Sequence, residues 1–195
     1  MRQPAPPLLP VFRSRRVGDL LALVLAHPDR SWTLEELADR VQARYQTVTA
    51  EVRRLEQADL VSTRSVGRSK LVTANADHPY IAPLTELVVM AFGPPLVIAE
   101  EFADVQGIEG LWLYGSWAAR HAGISGRPPG DVDVLVVGDV GRDAIYEAAR
   151  RAERRLGREV NTTIRTARAW KRADDAFATT VKDSPMVAIA GPWAA

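Results

Sequence analysis

The run Asp131-Val132-Asp133-Val134-Leu135-Val136-Val137 constrains this chain more than any other stretch. Past Asp133 it is unbroken Val and Leu, and a Gly- and Pro-rich loop, 123–130, precedes it. A short β-branched apolar run bounded by turn residues reads as a strand buried on both faces. Such a strand needs packed layers on either side, which places the region in a mixed α/β architecture. The two acids at its head are two residues apart, so both side chains leave one face. Carboxylates crowded this way repel unless a cation or ligand relieves them. At a strand end they can share Mg²⁺ with substrate phosphates, and such ions stabilise the attacking and leaving oxygens of phosphoryl transfer.

The flanks fit that reading. Residues 110–114 form a compact β-type run, followed at once by Gly115-Ser116 and a short helix over 117–122. Gly115 leaves room for a phosphate near the backbone, and Ser116 sits at a helix start, where free N–H groups attract anions. A helix is expected over 143–156 and a strand over 158–164. On that strand Asn161 and Glu159 share a face. An amide can ligate or hydrogen-bond but cannot take a proton. Arg150, Arg151, Arg154, Arg155 and Arg158 form a basic cluster that reads first as a solvated helix face and otherwise as a phosphate or DNA contact, with Glu147 and Arg151 spaced for an i,i+4 pair. Short amphipathic helices over 167–182, with Trp170 and Phe177 as core anchors, and a last strand over 184–190 complete the region.

The N-terminal half has a different rhythm. Val17, Leu20, Leu21 and Val24 mark a first helix, stopped by His27-Pro28. Thr33 and Glu36 form a capping box that opens a second, with Leu34, Leu37, Ala38 and Val41 as its stripe. After a turn at 42–44, a third helix turns Val48, Val52 and Leu55 inward. Outward it shows Tyr45, Gln46, Thr47, Ala50, Arg53 and Arg54. A β-compatible run over 60–65, a turn at 66–69 and a return over 70–73 make a basic hairpin.

Three helices and a basic hairpin resemble the winged helix-turn-helix of ArsR- or MarR-type bacterial regulators, over residues 14–75. The turn before the third helix lacks the usual Gly, and Asp59 stands where the family commonly ends its recognition helix with Gly; Asp can adopt the left-handed conformation at modest cost. The resemblance implies double-stranded DNA as partner. Arg44, Tyr45, Gln46, Thr47 and Thr49 would lie at the reading end. Gln46 can pair with adenine and Thr47 can touch a thymine methyl. Arg44, Arg53, Arg54, Arg64, Arg68 and Lys70 would hold phosphates.

Gly-Ser, fourteen intervening residues, then Asp-x-Asp is similar to the minimal nucleotidyltransferases of the DNA polymerase β superfamily, over residues 105–191. That likeness implies a mixed sheet with flanking helices, Mg²⁺ on Asp131 and Asp133, and a nucleoside triphosphate on Gly115 and Ser116. The family's third carboxylate, on a later strand, matches Asn161 here, with Glu159 as the candidate substitute; Asp131, Asp133, Asn161 and Glu159 are then the catalytic candidates.

Composition supports two modules. Residues 1–80 carry 12 Lys/Arg against 9 Asp/Glu, and residues 81–195 carry 13 against 15. With no Cys, thiol catalysis and Cys-ligated metals are excluded, and the 3 His are scattered. At 47% hydrophobic residues the chain is too apolar for disorder. The expected organisation is a flexible lead-in (1–12), a winged helix (13–76), linker and dimerisation helices (77–104) and a nucleotidyltransferase-like domain (105–195). Within the linker, residues 80–92 are apolar on most sides and must be buried, between domains or in a homodimer. No apolar run approaches the ~20 residues of a membrane helix, so a soluble cytoplasmic protein is expected, without a membrane partner. The functional expectation is a transcription regulator whose second domain binds, and transfers if competent, a nucleotide. The alternative is an active enzyme nucleotidylating a protein or a small molecule such as an aminoglycoside, with the winged helix targeting it.

Overall fold

The computed structural model describes residues 12–127, 129–172 and 175–191. The chain is mixed α/β and divides into two compact units, residues 1–96 and 97–195. The flexible lead-in expected at 1–12 lies outside the described residues except for Phe12, whose ring packs edge-on to Phe92 at 5.1 Å.

In the first unit, α1 (Arg15–Leu25) is capped by the Ser14 side chain accepting from the Val17 N–H. Its residues Leu20 to Leu25 are all buried. The short strand β1 (Trp32–Thr33) leads into α2 (Leu34–Arg40). The capping box is present: the Glu36 N–H donates to Thr33 Oγ1 at 3.1 Å, and the Thr33 N–H donates to Glu36 Oε2 at 2.8 Å. A tight connection, with Gln42 in the left-handed region at φ 52°, turns the chain into α3 (Tyr45–Gln57). Val48 and Val52 of α3 are buried, as their spacing predicts.

The end of α3 bears out the reading of Asp59. Its φ is 56°, its N–H donates to the Glu56 carbonyl at 3.0 Å, and the next N–H, of Leu60, donates to the Leu55 carbonyl at 2.9 Å. That pair of bonds is a Schellman termination with Asp in place of Gly. The chain then forms the hairpin of β2 (Val61–Val66) and β3 (Ser69–Ala74), turning at Gly67-Arg68. The sheet order is β1-β3-β2, all antiparallel. Three helices with a hairpin and a small sheet strand between the first two are the winged helix-turn-helix arrangement. Strand β1 has no sequence signal because two residues carry no periodicity.

The apolar stretch 80–92 becomes α4 (Ile81–Phe92), and it packs on α1 of its own unit. Val88, Ala91 and Phe92 are buried there, so one face of this helix serves the core of the first unit. The division of the chain falls within α5 (Pro94–Glu101). Among the described residues, Ile81–Glu101 is long and apolar enough to cross a membrane by length and composition, at 21 residues and mean hydropathy 1.8, a test that the core helix of a soluble protein also passes.

The second unit is built on β4 (Ile108–Tyr114), α6 (Gly115–His121), β5 (Asp131–Gly138), α7 (Arg142–Leu156), β6 (Glu159–Arg165), α8 (Ala167–Arg172), α9 (Ala176–Lys182) and β7 (Val187–Ala190). Its sheet order is β6-β5-β4-β7. Strand β4 is antiparallel to both neighbours, whereas β5 and β6 are parallel and joined through α7. One face carries Trp112, Leu135 and Val137, covered by Trp170 of α8 and Ala178 and Val181 of α9. Trp170 and Phe177 are core anchors, as the sequence suggests. The arginines of α7 divide. Arg151 Nε donates to Glu101 Oε2 at 2.8 Å, and Arg155 reaches Glu101 at 2.7 Å and Glu100 at 2.9 Å. Arg151 therefore pairs with α5 across the unit, and these partly buried bridges clamp α5 onto α7.

Gly18 of α1 lies against the Phe92 ring, so that a Cβ there would overlap the ring carbons. Gly→Ala within a helix ordinarily stabilises by about 1 kcal/mol. Gly18→Ala is expected to have the opposite sign, a loss of about 1–3 kcal/mol from overpacking, read by urea unfolding.

Candidate functional site

The acid pair stands where three strands meet. Asp133 is opposite Tyr114 across the β4–β5 ladder and opposite Asn161 across the β5–β6 ladder. Asp131 is opposite Glu159. Alternation along β5 puts Asp131 and Asp133 on the face that also bears Leu135 and Val137, at the end that the Trp170 cluster leaves open to polar groups. Gly115, at φ 70°, closes the approach from β4: a Cβ on it would overlap the Asp133 carboxylate. The Gly-Ser and Asp-x-Asp segments are therefore in contact through Gly115. Ser116 is exposed in the first turn of α6.

Asn161 ties the pair together. Its Nδ2 donates to Asp131 Oδ2 at 2.9 Å and reaches Asp133 Oδ1 at 3.5 Å. Glu159 is exposed at the outer strand β6. Among the described residues, no three His, Cys, Asp or Glu side chains converge as a metal-binding group. The donors that do converge are two carboxylates and one amide. With the amide turned to present Oδ1 all would be oxygens, a set suited to a hard dication such as Mg²⁺.

Burial first, and the Asp131 charge second, hold the Asp133 carboxyl above its ordinary range, against the pull of the Asn161 hydrogen bond. Beyond Asp133 on the same face lies a polar belt that sequence reading missed. Tyr114 Oη and Thr163 Oγ1 share a hydrogen bond of 2.9 Å, and burial raises the Tyr114 phenol pKa. Arg165 stacks over the Phe177 ring at 4.7 Å and faces Asp175 at 3.8 Å. The signal was available: 159, 161, 163 and 165 alternate onto one face of a single strand.

The first unit carries the other candidates. At the start of α3, Arg44, Tyr45, Gln46 and Thr47 are all exposed, Tyr45 at 47%. Thr49 is half-buried and donates its hydroxyl to the Tyr45 carbonyl at 2.9 Å. Arg53 is exposed further along α3, as are Arg64 and Arg68 on the hairpin. Arg54 pairs with Glu51, which also accepts from Arg13 at 3.0 Å. Lys70 bonds Glu56 at 3.1 Å, and Thr63 also donates to Glu56. Register separates the hairpin cations: Arg64 is opposite Leu71 and Lys70 is opposite Ser65, so they leave opposite faces. Lys70 is on the face turned to α3, and Arg64 is on the other.

No family model matches the sequence, and no curated protein matches it. Among solved structures, AF1382 from Archaeoglobus fulgidus is similar over 43% of this chain and 92% of its own, at 15% identity and TM-score 0.36. Reduced HlyU from Vibrio cholerae is similar over 42% of this chain and 80% of its own, at 20% identity and TM-score 0.34.

An acid whose folded pKa is raised weakens the fold at pH values above that pKa, and the penalty disappears once the group is protonated in both states. Asp133→Asn is therefore expected to raise the thermal midpoint at neutral pH. The gain should fade as pH falls from the raised folded value to the ordinary carboxylate value, and be gone below it, where Asp133 is protonated in both states. Melting curves of both proteins across pH 3–8 test the sign.

Proposed function

We propose that this protein is a DNA-binding transcription regulator whose second unit binds a nucleoside triphosphate together with Mg²⁺. The observation that carries the first part is the exposed opening turn of α3, Arg44 to Thr47, on a helix whose far end holds a hairpin with Arg64 exposed on β2 and Arg68 exposed at its turn. A recognition helix reads base edges with its N-terminal residues while flanking cations fix the backbone. Gln46 and Thr47 would read; Arg44, Arg53, Arg64 and Arg68 would anchor. Arg54 and Lys70 already have carboxylate partners and would contribute less.

Asp131 and Asp133 would hold Mg²⁺, whose chemistry there is to neutralise phosphate charge. Gly115 would let phosphates approach the backbone, and Ser116 would offer a hydroxyl. Asn161 holds the pair but accepts no proton, and loss of a positioned base slows a reaction by roughly 10²–10⁴-fold. Binding with slow or undetectable transfer is therefore the expected behaviour. Convergence of the two acids also suits the rival reading, an active enzyme that nucleotidylates a protein or an aminoglycoside. Label transfer from Mg·NTP to candidate acceptors at rates ordinary for an enzyme would favour the rival.

DNA readers of this form place two recognition helices one turn apart, which calls for a two-fold dimer. The outer face of α4 offers exposed Leu87 (44%) and Met90 (60%), with Tyr80 (70%) just ahead of the helix. Leu87→Asp combined with Met90→Asp should yield a folded monomer by light scattering; an unchanged mass would exclude this face.

Binding to the protein's own promoter DNA should weaken steeply with salt. Arg64→Ala with Arg68→Ala should weaken it for all sequences and flatten the salt slope by about one unit per lost phosphate contact, whereas Gln46→Ala should relax discrimination by about 1–3 kcal/mol at one base pair. Salt-insensitive binding, or none, would refute the reader. Calorimetry with a panel of nucleotides should show Mg²⁺-dependent binding in the wild type and none in Asp131→Asn. If no nucleotide binds the folded protein, the second half of the proposal fails.

A further inference from the structure

We propose that the Asn161 amide is a built-in substitute for a cation, holding the Asp131 and Asp133 carboxylates together so that this end of the sheet is assembled without a metal. The reading rests on the Proposed function only in taking the acid pair as a cation site.

Asp131 and Asp133 project from one face of β5 and, as carboxylates, can only accept. Among the described residues, Asn161 is the side chain that donates to them, at 2.9 Å to Asp131 Oδ2 and 3.5 Å to Asp133 Oδ1. A single amide nitrogen has two hydrogens, enough for both contacts. The reverse orientation would set Oδ1 against two acceptor oxygens, so chemistry as well as position fixes the donor inward. Parallel pairing keeps the amide there, since Asn161 is the direct neighbour of Asp133 in the ladder. On the β4 side Gly115 abuts the Asp133 carboxylate, which limits how far that carboxylate can swing away.

Two consequences follow. The amide offsets part of the repulsion between the acids, because partial positive charge on an N–H₂ group stands between the carboxylates. A cation entering the site must displace that group or turn the amide to present Oδ1, so position 161 sets how strongly the pair takes a cation. A third carboxylate there would invert the balance, adding charge that only a cation relieves.

The test compares wild type, Asn161→Ala and Asn161→Asp by thermal melting in EDTA and in Mg²⁺ or Mn²⁺ at millimolar concentration. Nucleotide is absent from every arm, so failure of nucleotide binding and failure of this inference are separate results. In EDTA both variants should melt ~5 °C or more below wild type, with Asn161→Asp lowest. Mg²⁺ should restore most of the loss in Asn161→Asp and shift wild type by less than about one degree. Calorimetric Mn²⁺ affinity should be at least ~10-fold higher in Asn161→Asp. Equal Mg²⁺ responses in wild type and Asn161→Asp, or Asn161→Ala as stable as wild type in EDTA, would overturn the proposal. Should Asn161→Asp fail to fold, the decision passes to the double variant Asp131→Asn/Asn161→Ala. With one charge gone, Asn161→Ala should lower the melting point by less than half its effect in the wild-type background, and additive losses would overturn the proposal.

Discussion

The parallel pairing of β5 with β6 is the constraint on which the second unit depends. A strand that is Val and Leu on both faces has to be interior, and its parallel neighbour has to return through a crossover helix. That helix, α7, fixes which residues of β6 come abreast of Asp131 and Asp133. A slip of one residue would turn Asn161 to the opposite face and leave the two acids with nothing to answer them. The polar chemistry at the head of the sheet is thus set by apolar packing further along the same strand. Val134, Leu135 and Val136 are fully buried and hold the register that two exposed-end carboxylates would otherwise oppose.

In the first unit the roles are divided differently. Apolar contacts join the helices and also take in Val61, Val72 and Ala74 of the hairpin, while polar contacts tie the hairpin to the end of α3. Glu56 takes hydrogen bonds from Thr63 and Lys70, and Asn75 donates to the Asp59 carbonyl at 2.8 Å. All of these converge on the last turn of α3 and its Schellman end. The bonds from Thr63 and Lys70 hold the Glu56 carboxylate below its ordinary pKa, so the contact keeps its charge further into acid. Hairpin orientation is therefore tied to the helix end, and the cations on the other face of the hairpin are left exposed.

Most of the element order could be read from the sequence because it is written in periodicity and caps. The Thr33–Glu36 box, the Val48-Val52 spacing and the alternation through β5 each state a local rule that the fold obeys. Asp59 could be read as a helix end because few residue types tolerate its conformation. What could not be read were properties of pairs distant in the chain. Arg151 has a suitable partner four residues away in Glu147 and takes Glu101 instead, since α5 packs beside α7. Arg64 and Lys70 look equivalent as hairpin cations until register assigns them opposite faces. Asn161 could be placed opposite the acids by counting along the strand, but that its amide turns inward to both of them depends on side-chain geometry that spacing does not encode.

Gly115 links two parts of the chain in a way that bears on sequence drift. Its backbone is left-handed, and its missing Cβ is the space into which the Asp133 carboxylate projects. A change of residue 115, at the start of α6, therefore has to be met by a change at residue 133 on β5. The converse does not hold: shortening residue 133 clears the space, yet the left-handed backbone still favours glycine. Substitution is thus directional. A lineage that abandons the acid pair would lose the carboxylate first and keep the glycine as a fossil of the site, so a surviving glycine on its own is poor evidence that the chemistry survives.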